Sequence, residues 1–117
     1  MMHSFGNTQV YLAVGKTDMR KSINTLAILV EGQMELNPFS GHLFAFCNRR
    51  RDIVKVLYWD RNGFCLWQKR LERDRFWWPE SEDEARCITQ RELVWLIDGM
   101  AIPPPGVHGS LSYMSVS

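Results

Sequence analysis

Residues 43–71 read LFAFCNRRRDIVKVLYWDRNGFCLWQKRL, and this stretch decides the fold. It contains three segments rich in apolar, β-branched and aromatic residues, namely 43–47, 53–59 and 64–71. Such segments are typical of strands. The polar residues 48–52 are few enough for a hairpin turn. Asn62-Gly63 between two apolar runs is a strong hairpin signal, because both residues tolerate positive φ. The stretch therefore predicts an antiparallel three-stranded meander.

The segments before the meander add a strand and a helix. In residues 9–14 (QVYLAV), Val10, Leu12 and Val14 alternate with other residues, which predicts a short strand and a candidate fourth strand of the sheet. Asp18 is placed to cap a long helix over 19–36, since a short carboxylate accepts hydrogen bonds from the free amides of a first turn. Apolar residues in this helix recur at spacings of three and four, as an amphipathic helix requires. Pro38 ends the helix, because the residue before a proline is pushed out of helical angles.

After the meander, Thr89 with Glu92 three residues later matches a capping box and predicts a short helix that Gly99 ends. The fold class expected is α+β: an antiparallel three- to four-stranded meander sheet packed by one long N-terminal helix and a short C-terminal helix. We expect a flexible N-terminus over 1–8, a single domain over 9–102 and a disordered tail over 103–117.

Composition restricts the function classes. The 117 residues correspond to about one domain, and 45% of them are hydrophobic, as in a globular protein. No apolar run is long enough for a membrane span, and the first residues do not resemble a secretory signal, so we expect a cytoplasmic protein without membrane contact. Cys47, Cys65 and Cys87 are widely spaced, which argues for free thiols in place of a disulfide or zinc site. We expect no metal and no cofactor.

Charge is unevenly distributed along the chain, although the net charge is +1. Residues 49–75 carry nine basic and four acidic side chains, a net charge of +5. Residues 80–98 carry six acidic and two basic side chains, a net charge of −4. This asymmetry favours an anionic partner for the basic part.

The sharpest candidate site is the predicted turn that carries Arg49, Arg50 and Arg51. Guanidinium groups match phosphate oxygens in bidentate geometry. Lys55, Lys69 and Arg70 on the strands behind the turn would extend the surface. The alternative is a turn that merely aids solubility. Nearby aromatic residues such as Trp59 and Trp67 suit base stacking, although most of them are expected in the core.

A second basic cluster, Lys16, Arg20 and Lys21, surrounds the start of the predicted long helix. Helix N-termini attract anions, so basic side chains there point to an anionic ligand. The alternative is that Lys16 and Arg20 pair with Asp18.

Catalysis is disfavoured. Asp18, Asp60 and Glu92 could in principle form an acidic triad for metal-dependent phosphoryl transfer. Each has a structural explanation, as helix cap, turn residue and capping-box partner respectively. No hydrolase triad, phosphate-binding glycine loop or metalloprotease motif is present in the sequence. We therefore expect a protein that is not an enzyme and has no catalytic residue.

Several motifs together resemble those of one known family. They are Asp18-Met19-Arg20-Lys21-Ser22, Pro38-Phe39-Ser40-Gly41, the Phe44 to Arg51 block, Lys55 with Leu57-Tyr58-Trp59-Asp60, Gly63-Phe64, Leu66-Trp67, Lys69-Arg70-Leu71-Glu72, Phe76 and Trp78-Pro79. In this order they resemble the TnpB-type accessory proteins encoded by the second reading frame of bacterial insertion-sequence-sixty-six elements. The resemblance covers about residues 10–101.

The resemblance implies a role in transposition, with the chemistry left to a separate large transposase. Combined with the basic turn, it predicts an accessory protein that binds nucleic acid, most simply the DNA of the element ends, and assists that transposase. The alternative is an interaction module without DNA contact, in which the basic turn docks on the transposase or on the acidic segment of a second copy.

Overall fold

The computed structural model describes residues 6–81 and 86–102. The elements in chain order are β1 (Val10–Leu12), α1 (Ile23–Gly32), β2 (Leu43–Cys47), β3 (Ile53–Asp60), β4 (Gly63–Arg70), β5 (Cys87–Ile88) and α2 (Gln90–Ile97). The strands form one sheet in the order β4-β3-β2-β1-β5. Residues 1–5, 82–85 and 103–117 are not described, so the predicted tail and most of the predicted flexible N-terminus lie outside the described residues.

The central strand β2 is buried at all five positions. Its side chains alternate between the two faces of the sheet, so Phe44 and Phe46 face α1, whereas Leu43, Ala45 and Cys47 face the opposite side. Because both faces of this strand are covered, neither face needs polar side chains, and its sequence is therefore an unbroken apolar run.

The predicted fold class is wrong in its sheet and in its long helix. The meander β2-β3-β4 is present, with register pairs such as Phe44 with Leu57 and Leu57 with Leu66. However, β1 pairs with β2 in parallel, so the sheet is mixed. The crossover through α1 makes this possible, because it returns the chain to the same end of the sheet before β2 begins. β5 then adds a fifth strand antiparallel to β1, and its two residues are too few to show any alternation in the sequence.

Helix α1 is shorter than predicted and has a different cap. It spans ten residues, and the side chain of Ser22 accepts the N-cap hydrogen bond from the backbone N–H of Thr25 at 3.3 Å. Asp18 lies outside the helix, where its carboxylate accepts from the backbone N–H of Arg20 at 2.9 Å. Met34, after the helix has ended, is still buried against the same core as the helix. The apolar stripe therefore overstated the helix length.

Other local predictions are confirmed. Thr89 and Glu92 form the capping box of α2, and Gly99 follows the helix with φ of 93°. The β3–β4 hairpin has a two-residue loop, closed by the pair Asp60 and Gly63. Within that loop it is Arg61, with φ of 51°, that takes the left-handed conformation expected of Asn62 or Gly63.

The sheet separates two cores. The α1-side core lies between the sheet and α1 and includes Leu26, Val30, Phe44, Phe46 and Leu57. The α2-side core lies on the other face, where α2 and the segment 76–79 cover the sheet. Its buried members are Val10, Leu12, Leu43, Ala45, Cys47, Val54, Val56, Phe76, Trp78, Ile88, Leu93, Leu96, Ile97 and Ile102. No helix within the described residues is long and apolar enough to cross a membrane.

We expect Leu26→Ala to lower the free energy of unfolding by about 2–5 kcal/mol, because it leaves a cavity in the α1-side core. Leu26 is 1% exposed. The matched control is Ile28→Ala on the same helix, where the side chain is 70% exposed and the change should cost about 0.5 kcal/mol or less. Urea denaturation of both variants measures the difference, and equal losses would contradict the packing described.

Candidate anion-binding site

The β2–β3 turn is organised by Asn48. Its side-chain Oδ1 accepts hydrogen bonds from the backbone N–H groups of Asp52 and Ile53, each at 3.0 Å. Its Nδ2 donates to Asp52 Oδ1 at 2.6 Å. Asn48 thus holds both ends of the turn, as Asn side chains do when they bond to nearby backbone. The predicted turn over 48–52 is confirmed, and its conformation depends on this one amide.

The three arginines of the turn have different surroundings. Arg49 and Arg50 are exposed, and neither forms an ion pair with any acid in 6–81 or 86–102. Arg51 takes a left-handed backbone conformation with φ of 62°. Its N–H donates to the carbonyl of Asn48 at 3.1 Å, its carbonyl accepts from the N–H of Phe76 at 2.7 Å, and its guanidinium pairs with the carboxylate of Glu80. These contacts hold Arg51 in one position, whereas Arg49 and Arg50 extend into solvent.

Parallel pairing brings the β1–α1 loop next to this turn. The carboxyl ends of parallel neighbours lie at the same edge of a sheet, and loops that follow them form ligand-binding crevices. Here the N–H of Thr17 donates to the carbonyl of Cys47 at 2.8 Å, just beyond the ends of β1 and β2. The exposed Lys16 is consequently held beside the turn.

A third segment, 78–80, completes the site. The indole Nε1 of the buried Trp78 donates to the carbonyl of Ala13 at 2.8 Å, and the N–H of Gly15 donates to the carbonyl of Pro79 at 2.9 Å. The three segments enclose a space of about 450 Å³, which we call the basic cleft. It is lined by Gly15, Lys16, Asn48, Arg49, Arg51, Trp78 and Glu80. A neighbouring hollow of about 370 Å³ shares Lys16 and Arg49 and adds Arg50.

The electrostatics of the cleft favour an anion. Three of its seven lining residues are basic and one is acidic. Two nearby carboxylates have local partners. The Arg20 guanidinium, 2.8 Å from Asp18, holds the pKa of that carboxyl well below its usual range. The hydrogen bond from the Asn48 amide likewise lowers the pKa of Asp52, and the charges of Arg50 and Arg70 contribute.

Two of the predicted basic residues hold the fold together. Lys55 Nζ donates to the carbonyl of Met19 at 2.7 Å, on the α1 side of the sheet. Lys69 lies opposite Val54 on the other face and donates to the carbonyl of Ile97 at 2.9 Å, at the C-terminal end of α2 where cations are favoured. The two lysines therefore do not share one face behind the turn.

The remaining predicted residues, Arg20, Lys21 and Arg70, do not line the cleft. Arg20 is exposed and paired with Asp18, as the alternative interpretation predicted for Lys16 and Arg20 together. Lys21 is half-buried. Arg70 is exposed and pairs with Glu72 at 3.2 Å. It stands beside the turn, because the next residue, Leu71, donates its N–H to the carbonyl of Asp52 at 2.8 Å.

Aromatic side chains contribute packing near the cleft. Tyr58, Trp67 and Trp77 are partly buried against the α2-side core, and Trp78 is 2% exposed within it. Trp59 packs at the far end of β3 against Phe64, with ring centroids 5.0 Å apart. The basic cleft therefore has no exposed ring among its lining residues for stacking on a base.

Sequence reasoning missed four of the residues that line the basic cleft: Gly15, Asn48, Trp78 and Glu80. For Asn48 the sequence does carry a signal, because an Asn at the first position of a polar turn commonly bonds to the backbone of that turn. Trp78 joins the site through the bond of its indole to Ala13, and Glu80 through its ion pair with Arg51. Both contacts link segments that are distant in the chain, for which the sequence carries no local signal.

Potential metal ligands and thiols are dispersed within the part of the chain that the structure describes. No group of three potential metal ligands occurs among residues 6–81 and 86–102. Burial raises the pKa of the Cys47 thiol to about 12, so that it stays protonated. Cys65 is half-buried and Cys87 exposed, and both are free thiols like Cys47.

Comparison with known proteins agrees with the motif pattern. The model of the family described as "IS66 Orf2 like protein" matches residues 8–106. This chain belongs to the IS66 Orf2-like family. The family resemblance inferred from the sequence is thereby confirmed, and membership ties this IS66 Orf2-like protein to an accessory role in transposition.

Two relatives come from Sinorhizobium fredii. The uncharacterized protein y4hO is 41% identical over 100 residues, which make up 86% of this chain and 87% of the relative. The uncharacterized protein y4jC is 30% identical over 92 residues, or 79% of each chain. No solved structure matches this IS66 Orf2-like protein.

We expect Asn48→Ala to lower the free energy of unfolding by about 1–3 kcal/mol, because it leaves partly buried groups of the turn without partners. The control is Asn24→Ala at an exposed position of α1, which should change stability by about 0.5 kcal/mol or less. Thermal or urea unfolding checks both variants. Equal effects would contradict the organising role of Asn48.

The titration of Asp52 gives a second test. Its pKa in the folded protein lies below the unfolded value of about 3.9, so the associated stabilisation is present above that pH and is lost as the pH falls through the folded pKa. In Asn48→Ala the main cause of the shift is gone, and the pKa of Asp52 should rise toward its ordinary value. NMR titration of the Asp52 carboxyl carbon in both proteins measures this; an unchanged pKa would assign the shift to the neighbouring arginines.

Proposed function

We propose that this IS66 Orf2-like protein binds DNA as an accessory factor in transposition, with the basic cleft and the exposed Arg49 and Arg50 as the contact surface. The observation that carries the proposal is that Lys16 lines one cleft with Arg49 and Arg51, although it lies more than thirty residues before them in the sequence. Phosphate is the anion presented by an insertion-sequence end, and guanidinium groups bind it in fork geometry.

The arrangement supports phosphate contact in preference to base reading. Arg49 and Arg50 extend from a hairpin tip, and Lys16 from an adjacent loop, so these cationic groups are carried on loops. Contacts to phosphate position a protein on a duplex without reading its sequence. Preference for the element end would then come from the transposase of the same element, working alongside this accessory protein.

The first test compares Arg49→Gln/Arg50→Gln with the parent protein on a duplex that carries the element end. Removal of two phosphate contacts should weaken binding and reduce the slope of log K against log salt by about 2, at roughly 0.9 per contact. The control is Arg61→Gln/Arg91→Gln, which removes the same charge from exposed positions away from the cleft. Fluorescence anisotropy over a salt series measures both, and equal slopes for the two variants would refute the proposal.

A second candidate function is docking on the transposase, and one surface feature favours it. Ile28 is 70% exposed and Phe39 is 55% exposed, and together with Phe64 they line an apolar groove of about 330 Å³ beside α1. Apolar patches that remain exposed are typical of protein contacts. The β3 strand separates this groove from the arginine turn by roughly 23 Å, at about 3.3 Å per residue.

A pull-down distinguishes the two functions. If docking is the function, the transposase should be retained after nuclease treatment, Ile28→Asp should abolish retention, and the isolated protein should not shift DNA. If DNA binding is the function, Ile28→Asp should leave the anisotropy titration unchanged.

A further inference from the structure

Glu80 is the one acidic side chain among the seven residues that line the basic cleft. Its carboxylate is paired with the guanidinium of Arg51, the most restrained of the three arginines. It is also the first acid of an acidic stretch, since the sequence continues through Glu82, Asp83 and Glu84. An acid therefore stands at the point where an anionic ligand of the cleft would meet its best-positioned arginine.

Both members of this pair are placed by contacts that do not involve their charges. On one side, the backbone of Arg51 is held by Asn48 and Phe76. On the other side, Glu80 follows Pro79, whose carbonyl accepts from Gly15, and the preceding Trp78 is buried and bonded to Ala13. The backbone leading to Glu80 and the backbone of Arg51 are thus placed independently of the ion pair, so the Arg51 backbone would keep its position if another anion replaced the carboxylate.

The pair is open to exchange. The side chain of Arg51 is 36% exposed and that of Glu80 is 58% exposed, so water reaches both. Exposed ion pairs contribute little to stability, and the glutamate side chain can rotate away at low cost. A DNA phosphodiester has the same single negative charge as a carboxylate and presents two free oxygens to the fork of a guanidinium, so it can compete for the same group.

We infer that the Glu80 carboxylate occupies the phosphate subsite of the basic cleft, and that a phosphodiester binds there by displacing it. The inference rests on the proposed function and adds a subsite and an internal competitor to it. Glu80 then sets the affinity of the cleft: it keeps Arg51 neutralised until a phosphate arrives, and Arg51 becomes the third arginine of the contact surface.

The test uses the full chain with Glu80→Gln, which keeps the shape of the side chain and removes its charge. Affinity for a DNA duplex should rise by roughly two- to fivefold beyond the control, the range expected for release of one exposed ion pair. The control is Glu31→Gln on α1, an exposed acid outside the cleft whose loss changes the net charge equally. In an Arg51→Gln background, Glu80→Gln should lose its advantage over the control.

A second measurement does not depend on DNA. Inorganic phosphate is titrated while the NMR signal of the Arg51 Nε–H group is followed, and Glu80→Gln should reach half-saturation at a lower phosphate concentration than Glu31→Gln. If Glu80→Gln and Glu31→Gln behave alike in both measurements, the subsite assignment is overturned. If no variant binds DNA but phosphate still reaches Arg51 more readily in Glu80→Gln, the subsite stands and the proposed function fails.

Discussion

The parallel pairing of β1 with β2 is the constraint on which the layers and the cleft both depend. The two strands are joined by the crossover through α1, which covers one face of the sheet and leaves the other to α2. Because the strands run in the same direction, the loops that follow them emerge at the same edge. Lys16 and the arginine turn are neighbours for this reason, although more than thirty residues separate them in the chain.

The cleft is held by uncharged contacts and lined by charged groups. The amide of Asn48 closes the turn, the indole of Trp78 holds the β1–α1 loop, and backbone hydrogen bonds join the three segments. These contacts keep Lys16, Arg49 and Arg51 close together although their charges repel one another. Such an arrangement lowers the ordering cost that an anion would have to meet on binding.

Lys55 and Lys69 show that basic residues in a basic stretch of sequence need not form one basic surface. Lys55 and Lys69 lie in the two strands of the β3–β4 hairpin, yet their ammonium groups bond to backbone carbonyls on opposite faces of the sheet. Long basic side chains often pack their stems on apolar surface and use the terminal group for a local bond. Charge summed along the chain therefore overstated the extent of the basic surface around the turn.

Local signals in the sequence determined the meander, both hairpin turns and the capping box of α2, because each depends on residues a few positions apart. The motif order also determined the family. Only the tertiary structure decided four other features. They are the parallel pairing of β1 with β2, the two-residue strand β5, the early end of α1 and the ion pair of Glu80 with Arg51. The physical reason is that these contacts join segments whose local sequence patterns are equally compatible with other pairings. The pairing that forms is the one that buries the whole sheet.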